Sequence, residues 1–207
     1  MWSRELAIAS GAAVVATLGD LLLLWVGNSQ RPELDLPRPF GLALPLGALL
    51  GVCAIPLYAL GYRAVARAMG PGARALARVT LLCGGAAAVI GALIHGLTAL
   101  TIRAGIESGA VAAPPMEAVA ASGAGLVTAW IAASLLFLCA SIAVFTSRAL
   151  PRSVAWLNPL SVTIALVLAG FPWEWGRSFL VPAAPNFAHV VFFSVAFSAV
   201  QTELGQA

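Results

Sequence analysis

Long apolar segments are the feature that most constrains this chain. Hydrophobic residues make up 61% of its 207 residues, and charged residues make up only 9%. A membrane-spanning helix needs about 20 apolar residues, and a soluble domain of this size has too little core to bury several runs of that length. The sequence therefore predicts an integral membrane protein, an all-α helical bundle whose surroundings are the lipid bilayer.

About six of these segments are long enough to cross a bilayer, and we assign them to one multispan domain, 1–207. Their approximate bounds are 5–27, 40–66, 75–101, 116–147, 153–171 and 186–204. The first segment follows a short basic end, as a secretion signal does, but its leucines continue past Asp20 without a convincing cleavage site. We expect it to be a retained helix. Asn158-Pro159, near the start of the fifth segment, is typical of a cap and turn.

The arginines predict the orientation of the bundle. Basic loops stay on the cytoplasmic side of a membrane. Two connections are rich in arginine and contain no acidic residue. The first carries Arg63, Arg67, Arg74 and Arg78, and the second carries Arg148 and Arg152. An even number of spans then places both termini in the cytoplasm. All eleven basic residues are arginine, which together with the alanine and glycine content indicates a GC-rich genome. We expect a multi-pass protein of a bacterial plasma membrane, the cell inner membrane.

Several functional classes are disfavoured by the same composition. The net charge is +3, but the arginines are dispersed between apolar runs, so we predict no nucleic-acid partner. Cys53, Cys83 and Cys139 lie in separate apolar segments without CxxC or Cys/His spacing, so we predict neither a zinc site nor a disulfide. The chain has no lysine, which excludes a Schiff-base lysine. No cofactor is predicted.

His95 is an ionisable residue well inside the third segment. At helical spacing it shares a face with Gly84 and Gly91, opposite a bulky apolar surface. Small residues let a neighbouring helix approach, so we expect His95 to point into the bundle and not into lipid. The first segment supplies the predicted partner, because Asp20 is the only acidic residue deep inside any apolar run.

Asp20 and His95 are predicted to lie at one level, about 9–12 Å below the outer surface. A carboxylate beside an imidazole is an ordinary acid/base apparatus. We therefore predict that Asp20 and His95 are the catalytic pair of a small membrane enzyme. It would bind or convert a lipophilic small molecule in a polar pocket in its outer half, as an isomerase, cyclase or hydrolase does. The structural alternative is an interhelical hydrogen bond that only locks two helices together.

Other polar and aromatic residues near the outer side are predicted to bind the substrate. Asn186 fits the N-cap of the sixth helix, which would put His189 in its first turn, above the catalytic pair. Each residue also has a structural interpretation: helix start for Glu117, interfacial aromatics for the tryptophans and a headgroup position for His189. The predicted substrate-binding set is Glu117, Trp173, Glu174, Trp175, Arg177, Asn186 and His189.

Three other functions stay open at this point. A proton-coupled transporter or channel would use Asp20 and His95 as its coupling pair, although a through-going path should carry polar groups at successive depths. A redox protein would hold b-type haem between His95 and His189, or a metal with help from Asp20 and Glu117. The last alternative is a non-catalytic scaffold subunit of the membrane.

The second segment carries two packing signals. Gly47 and Gly51 have the GxxxG spacing, which lets helices approach closely either within the bundle or in a homodimer of two chains. Pro56 is expected to kink the same helix and open a gap beside it.

Overall fold

The computed structural model describes residues 2–29, 31, 34–108 and 124–204, and these form helices joined by short connections, with no strand among them. The prediction of an all-α membrane bundle is confirmed, and five of its helices are long and apolar enough to cross a membrane. The elements in order are α1 (Trp2–Asn28), α2 (Ala43–Ala54), a 3-10 turn (Ile55–Leu57), α3 (Tyr58–Ala68), a 3-10 turn (Pro71–Ala73), α4 (Arg74–Glu107), α5 (Ala124–Thr146), α6 (Arg152–Trp156), α7 (Pro159–Gly170), a π-helical turn (Gly176–Leu180) and α8 (Val181–Leu204).

Pro56 interrupts the second predicted segment. It lies in the 3-10 turn that joins α2 to α3, and Tyr58 begins α3 directly afterwards. Proline lacks the N–H that an α-helix needs in its interior, so the hydrogen-bond ladder changes locally from α to 3-10. The helix is therefore altered at the predicted proline, within one apolar span of 26 residues, Ala43–Ala68. The kink and the gap beside it stay predictions.

The fifth predicted span, 153–171, is divided into two short helices. Asn158 caps α7 by accepting from the backbone N–H groups of Leu160 and Ser161, as the sequence predicts. Because a residue before proline avoids the helical conformation, α6 ends before Asn158 and Pro159 starts a new helix. The twelve residues of α7 measure about 18 Å, which is short of the roughly 30 Å of a bilayer core.

Helices α1 and α8 run antiparallel, and their contact defines the frame of the bundle. Polar contacts join α1 to α8 and to the π-helical turn before it at three levels: Asn28 Nδ2 to Ser178 O at 3.1 Å, Asn186 Nδ2 to Asp20 Oδ2 at 2.6 Å, and Ser10 Oγ to Ser194 Oγ at 2.7 Å. The beginning of α1 and the end of α8 therefore lie at the same end of the bundle. If the chain ran along the bundle only in the five long helices, an odd number, the beginning of α1 and the end of α8 would lie at opposite ends. The short helices α6 and α7 therefore carry the chain along the bundle once more.

We call the end that carries the beginning of α1 the inner end, and the other the outer end. At the inner end Glu5 accepts from Arg63 at 2.9 Å and from Arg67 at 3.0 Å, which joins α1 to α3. The assignment of this end to the cytoplasm stays a prediction.

Helix α8 begins earlier than the sequence predicts. The sixth segment was expected to start at Asn186, but α8 starts at Val181 and the π-helical turn precedes it. Pro182 lies in the first turn, where proline is tolerated because that N–H needs no helical partner. Pro185 lies inside the helix. The prediction of an N-cap at Asn186 is therefore wrong, and Asn186 projects from the interior of a helix.

Candidate functional site

Asp20 and His95 are in direct contact, as the sequence predicts. Asp20 Oδ1 of α1 lies 3.0 Å from His95 Nδ1 of α4. The histidine side chain is 4% exposed and the aspartate side chain is 16% exposed, so the carboxylate is the more accessible member of the pair. Asp20 lies eight residues from the end of α1, which is about 12 Å along the helix.

The second ring nitrogen of His95 determines how many protons this pair holds. His95 Nε2 lies 3.0 Å from the backbone oxygen of Gly47. A carbonyl oxygen can only accept, so Nε2 must carry a hydrogen. One further proton is then shared between Nδ1 and the Asp20 carboxylate, either on the ring or on the acid. The pair is a proton-holding unit with no net charge in either form.

Two glycines of α2 make room for the imidazole ring. A Cβ atom on Gly51 would overlap the ring of His95, and a Cβ atom on Gly47 would lie 3.0 Å from the backbone oxygen of Gly19. The GxxxG spacing is therefore used for packing within the chain, one of the two predicted roles. A homodimer through Gly47 and Gly51 would need a surface that α1 and His95 already occupy.

Gly51→Ala is expected to destabilise the bundle by about 1–3 kcal/mol, because the added methyl group overlaps a buried ring. Thermal unfolding in detergent measures this change. Gly85→Ala is the matched control, since a Cβ there meets only Ala59 at 3.8 Å. An equal melting temperature for the two variants would contradict the proposed fit of His95 against Gly51.

Asn186 connects the pair to a second polar group. Its Nδ2 donates to Asp20 Oδ2 at 2.6 Å, and its Oδ1 accepts from the hydroxyl of Tyr58 at 2.7 Å. Asn186 is 9% exposed and Tyr58 is 1% exposed. The amide thus satisfies two buried groups on two other helices, which fixes the relative positions of α1, α3 and α8.

His189 lies deeper than predicted. It follows Asn186 by three residues along α8, about 4.5 Å farther from the outer end, and it is buried. Its ring stacks on Tyr58 with centroids 4.4 Å apart and also contacts Phe137 and Phe193. The predicted position in the first turn, above Asp20 and His95, is therefore wrong, because α8 begins at Val181.

Both ring nitrogens of His189 also have partners. Nδ1 lies 2.7 Å from the backbone oxygen of Pro185, so it carries a hydrogen. Nε2 lies 2.8 Å from the hydroxyl oxygen of Tyr62, which then donates to it in the neutral ring. His189 and Tyr62 form a second proton-holding unit, below the Asp20–His95 pair.

Neither tyrosine is among the site residues predicted from the sequence. Tyr58 and Tyr62 are spaced i, i+4, so they share one face of α3, and they are the only tyrosines of the chain. The chain has only two histidines as well, and all four residues meet in this cluster. The available signal was the position of these rare titratable side chains within apolar segments, the same signal that predicts the Asp20–His95 pair.

The aromatic turn before α8 lies apart from this cluster. Trp173 and Trp175 are 53% and 61% exposed. Glu174 pairs with Arg31 at 2.6 Å, and Arg177 donates to the backbone oxygen of Phe171 at 2.9 Å. Asn28 anchors this turn at the outer end of α1 through Ser178, so the turn is about 12 Å from the level of Asp20. Glu117 lies outside the described residues.

The histidines are poorly arranged for haem or metal in this structure. Each ring nitrogen of His95 and His189 already has a hydrogen-bond partner, so none is free to bind iron. Within residues 2–29, 31, 34–108 and 124–204, no three His, Cys, Asp or Glu side chains are grouped as metal ligands.

Two surface clefts lie toward the inner end and not beside Asp20. One lies among α1, α3, α6 and α8, and the other lies along the hydroxyl-bearing side of α8, at Ser194, Ser198 and Thr202. The residues around His95 are instead closely packed. Comparison of the chain with protein-family models, curated proteins and solved structures finds no match.

Proposed function

We propose that this protein moves protons across a bacterial plasma membrane, with Asp20 and His95 as its outer proton-binding pair. The observation that carries the proposal is the line of polar groups where α1, α3, α4 and α8 meet. His95 and Asp20 lie at one level, and His189 and Tyr62 lie one turn deeper. Groups at successive depths are what a proton path through a membrane requires.

The geometry favours a transporter over an open channel. Asn186 and Tyr58 separate the two proton-holding units, and an amide does not readily accept and release a proton as a histidine does. A proton therefore has to wait at Asp20 and His95 until the helices rearrange. Pro185 lies between Asn186 and the start of α8, where a proline weakens the helix and lets it bend.

The orientation supports the same proposal. Asp20 is more accessible than His95, and it belongs to the outer half of the bundle. If the inner, arginine-rich end is cytoplasmic, protons enter from outside and follow the membrane potential inward. The arginine-only composition supports a bacterial host with a GC-rich genome.

Proton movement can be tested with purified protein in liposomes. A pH-sensitive dye trapped inside reports proton entry after the outside is acidified, with valinomycin and potassium to remove the opposing potential. We expect faster entry than in protein-free vesicles of the same lipid. An unchanged rate, with protein that retains its helical circular dichroism spectrum, would count against the proposal.

A second candidate is an acid/base enzyme that converts a lipophilic small molecule. It is favoured by the exposure of the Asp20 carboxylate, 16%, beside a buried imidazole that can share its proton. In this function the Trp173–Arg177 turn would contact the substrate at the outer end, and the predicted role of Glu117 stays a prediction. Native mass spectrometry distinguishes the candidates: an enzyme should retain an organic mass that is lost in both Asp20→Asn and His95→Ala.

A further inference from the structure

An apolar cleft lies at the inner end of the bundle, far from Asp20 and His95. It is formed where the start of α1, the end of α3, the α5–α6 turn and the last turns of α8 meet. Its apolar lining includes Leu6, Val65, Leu150, Val154, Ala196 and Val200. The side chains of this cleft can pack against a hydrocarbon chain, and polar backbone atoms also contribute to its surface.

Arginines surround this cleft with few acids to balance them. Arg63 and Arg67 flank Val65 in α3, and both bind the single carboxylate of Glu5. Arg148 and Arg152 flank the lining residues of the α5–α6 turn, and both are exposed. The salt bridges of the described residues leave these two without a carboxylate. Among the ion pairs of the described side chains, Glu5 is the acid that binds Arg63 and Arg67, and none binds Arg148 or Arg152.

Trp156 indicates the depth of the cleft in the membrane. It ends α6, is 63% exposed, and packs edge-on against Phe145 with ring centroids 5.0 Å apart. Exposed tryptophans of membrane proteins concentrate at the level of the lipid headgroups. The cleft thus begins at the height of the headgroups, where a phosphate and the start of an acyl chain are both available.

We propose that this cleft binds an anionic phospholipid. Its acyl chain lies against Leu6, Val65 and Val200, and its phosphate contacts Arg148 and Arg152. Arginine suits this role because its planar guanidinium donates two parallel hydrogen bonds to phosphate oxygens. The lipid would hold the short α6 against α3 and α8, since the cleft lies among these helices.

Native mass spectrometry in a neutral detergent tests the site. The purified protein is incubated with phosphatidylglycerol or with phosphatidylcholine of the same chains, and the retained lipid is counted. We expect preferential retention of phosphatidylglycerol, and a loss on the order of tenfold in the variant R148Q/R152Q. R38Q/R103Q removes the same charge from the outer end and should retain the lipid as wild type does.

A second variant tests the cleft itself. Ala149 is exposed and lines the cleft, so Ala149→Leu should fill part of it without unfolding the bundle, and should lower retention although every arginine remains. Equal retention of the two lipids, or wild-type retention by R148Q/R152Q, would overturn the proposal. Displacement of the phospholipid by inorganic phosphate alone would indicate an anion site in place of a lipid site.

Discussion

Asp20→Asn is expected to lower proton movement by roughly 100-fold or more, the usual size of a lost acid/base group. Asparagine keeps the shape of aspartate and can still bond to Asn186, but it cannot share a proton with His95 Nδ1. His95 then retains only the hydrogen that it donates to Gly47. The proton-binding pair is lost while its packing remains.

The liposome assay measures this loss, and thermal unfolding of the same preparation shows whether the fold survives. Asp35→Asn is the matched control, because Asp35 is the other aspartate of the chain and is exposed between α1 and α2. Normal proton entry in Asp20→Asn would reject the role of the pair. Loss of entry together with an equal loss of folding would point to a purely structural contact between α1 and α4.

Asn186→Leu is expected to cause the largest loss of stability among single substitutions in the cluster, about 2–5 kcal/mol. Leucine has the same branched arrangement of side-chain heavy atoms, but it removes the partner of Asp20 Oδ2 and of the Tyr58 hydroxyl at once. The buried Tyr58 hydroxyl and the partly exposed Asp20 carboxylate then each lose a hydrogen bond. The melting temperature in detergent should fall accordingly.

Gln201→Leu provides the comparison for that substitution. It exchanges the same kind of side chain on the same helix, but Gln201 is exposed near the end of α8. Its melting temperature should stay near that of wild type. If Asn186→Leu and Gln201→Leu behave alike, the hydrogen bonds of Asn186 do not hold the three helices together.

Depth within an apolar segment was enough to predict the contact of Asp20 with His95. Each residue of a helix adds about 1.5 Å, so the distance of a residue from the end of its segment gives its level in the membrane. A lone carboxylate and a lone imidazole at one level then have few other partners. The chemical role of the pair stays a prediction.

The same counting failed for His189 because the start of its helix was placed wrongly. Pro185-Asn186 has the sequence of a helix start, but the preceding residues are also compatible with a helical turn, and packing against α1 decides between them. Tyr58 was missed for a related reason. A tyrosine in an apolar run is common at a membrane surface, and only the tertiary structure shows that this one is buried.

The division of the fifth segment had a local signal that apolarity concealed. Hydropathy measures how apolar a segment is, and it does not distinguish one long helix from two short ones. Asn158-Pro159 predicts a cap and turn near the start of the segment, whereas the apolarity of 153–171 predicts a single span. The structure shows α6 before this cap and α7 after it.

The π-helical turn at Gly176–Leu180 sets the rotation of everything that follows it in α8. Such a turn holds one residue more than the equivalent α-helical turn. Deleting a single residue there would turn the following helix by about 100° relative to the preceding loop. Asn186 and His189 could then face α1 and α3 only if the salt bridge between Arg31 and Glu174 at the outer end were broken. The helical phase of the two proton-holding units is thus tied to the exact length of a five-residue turn.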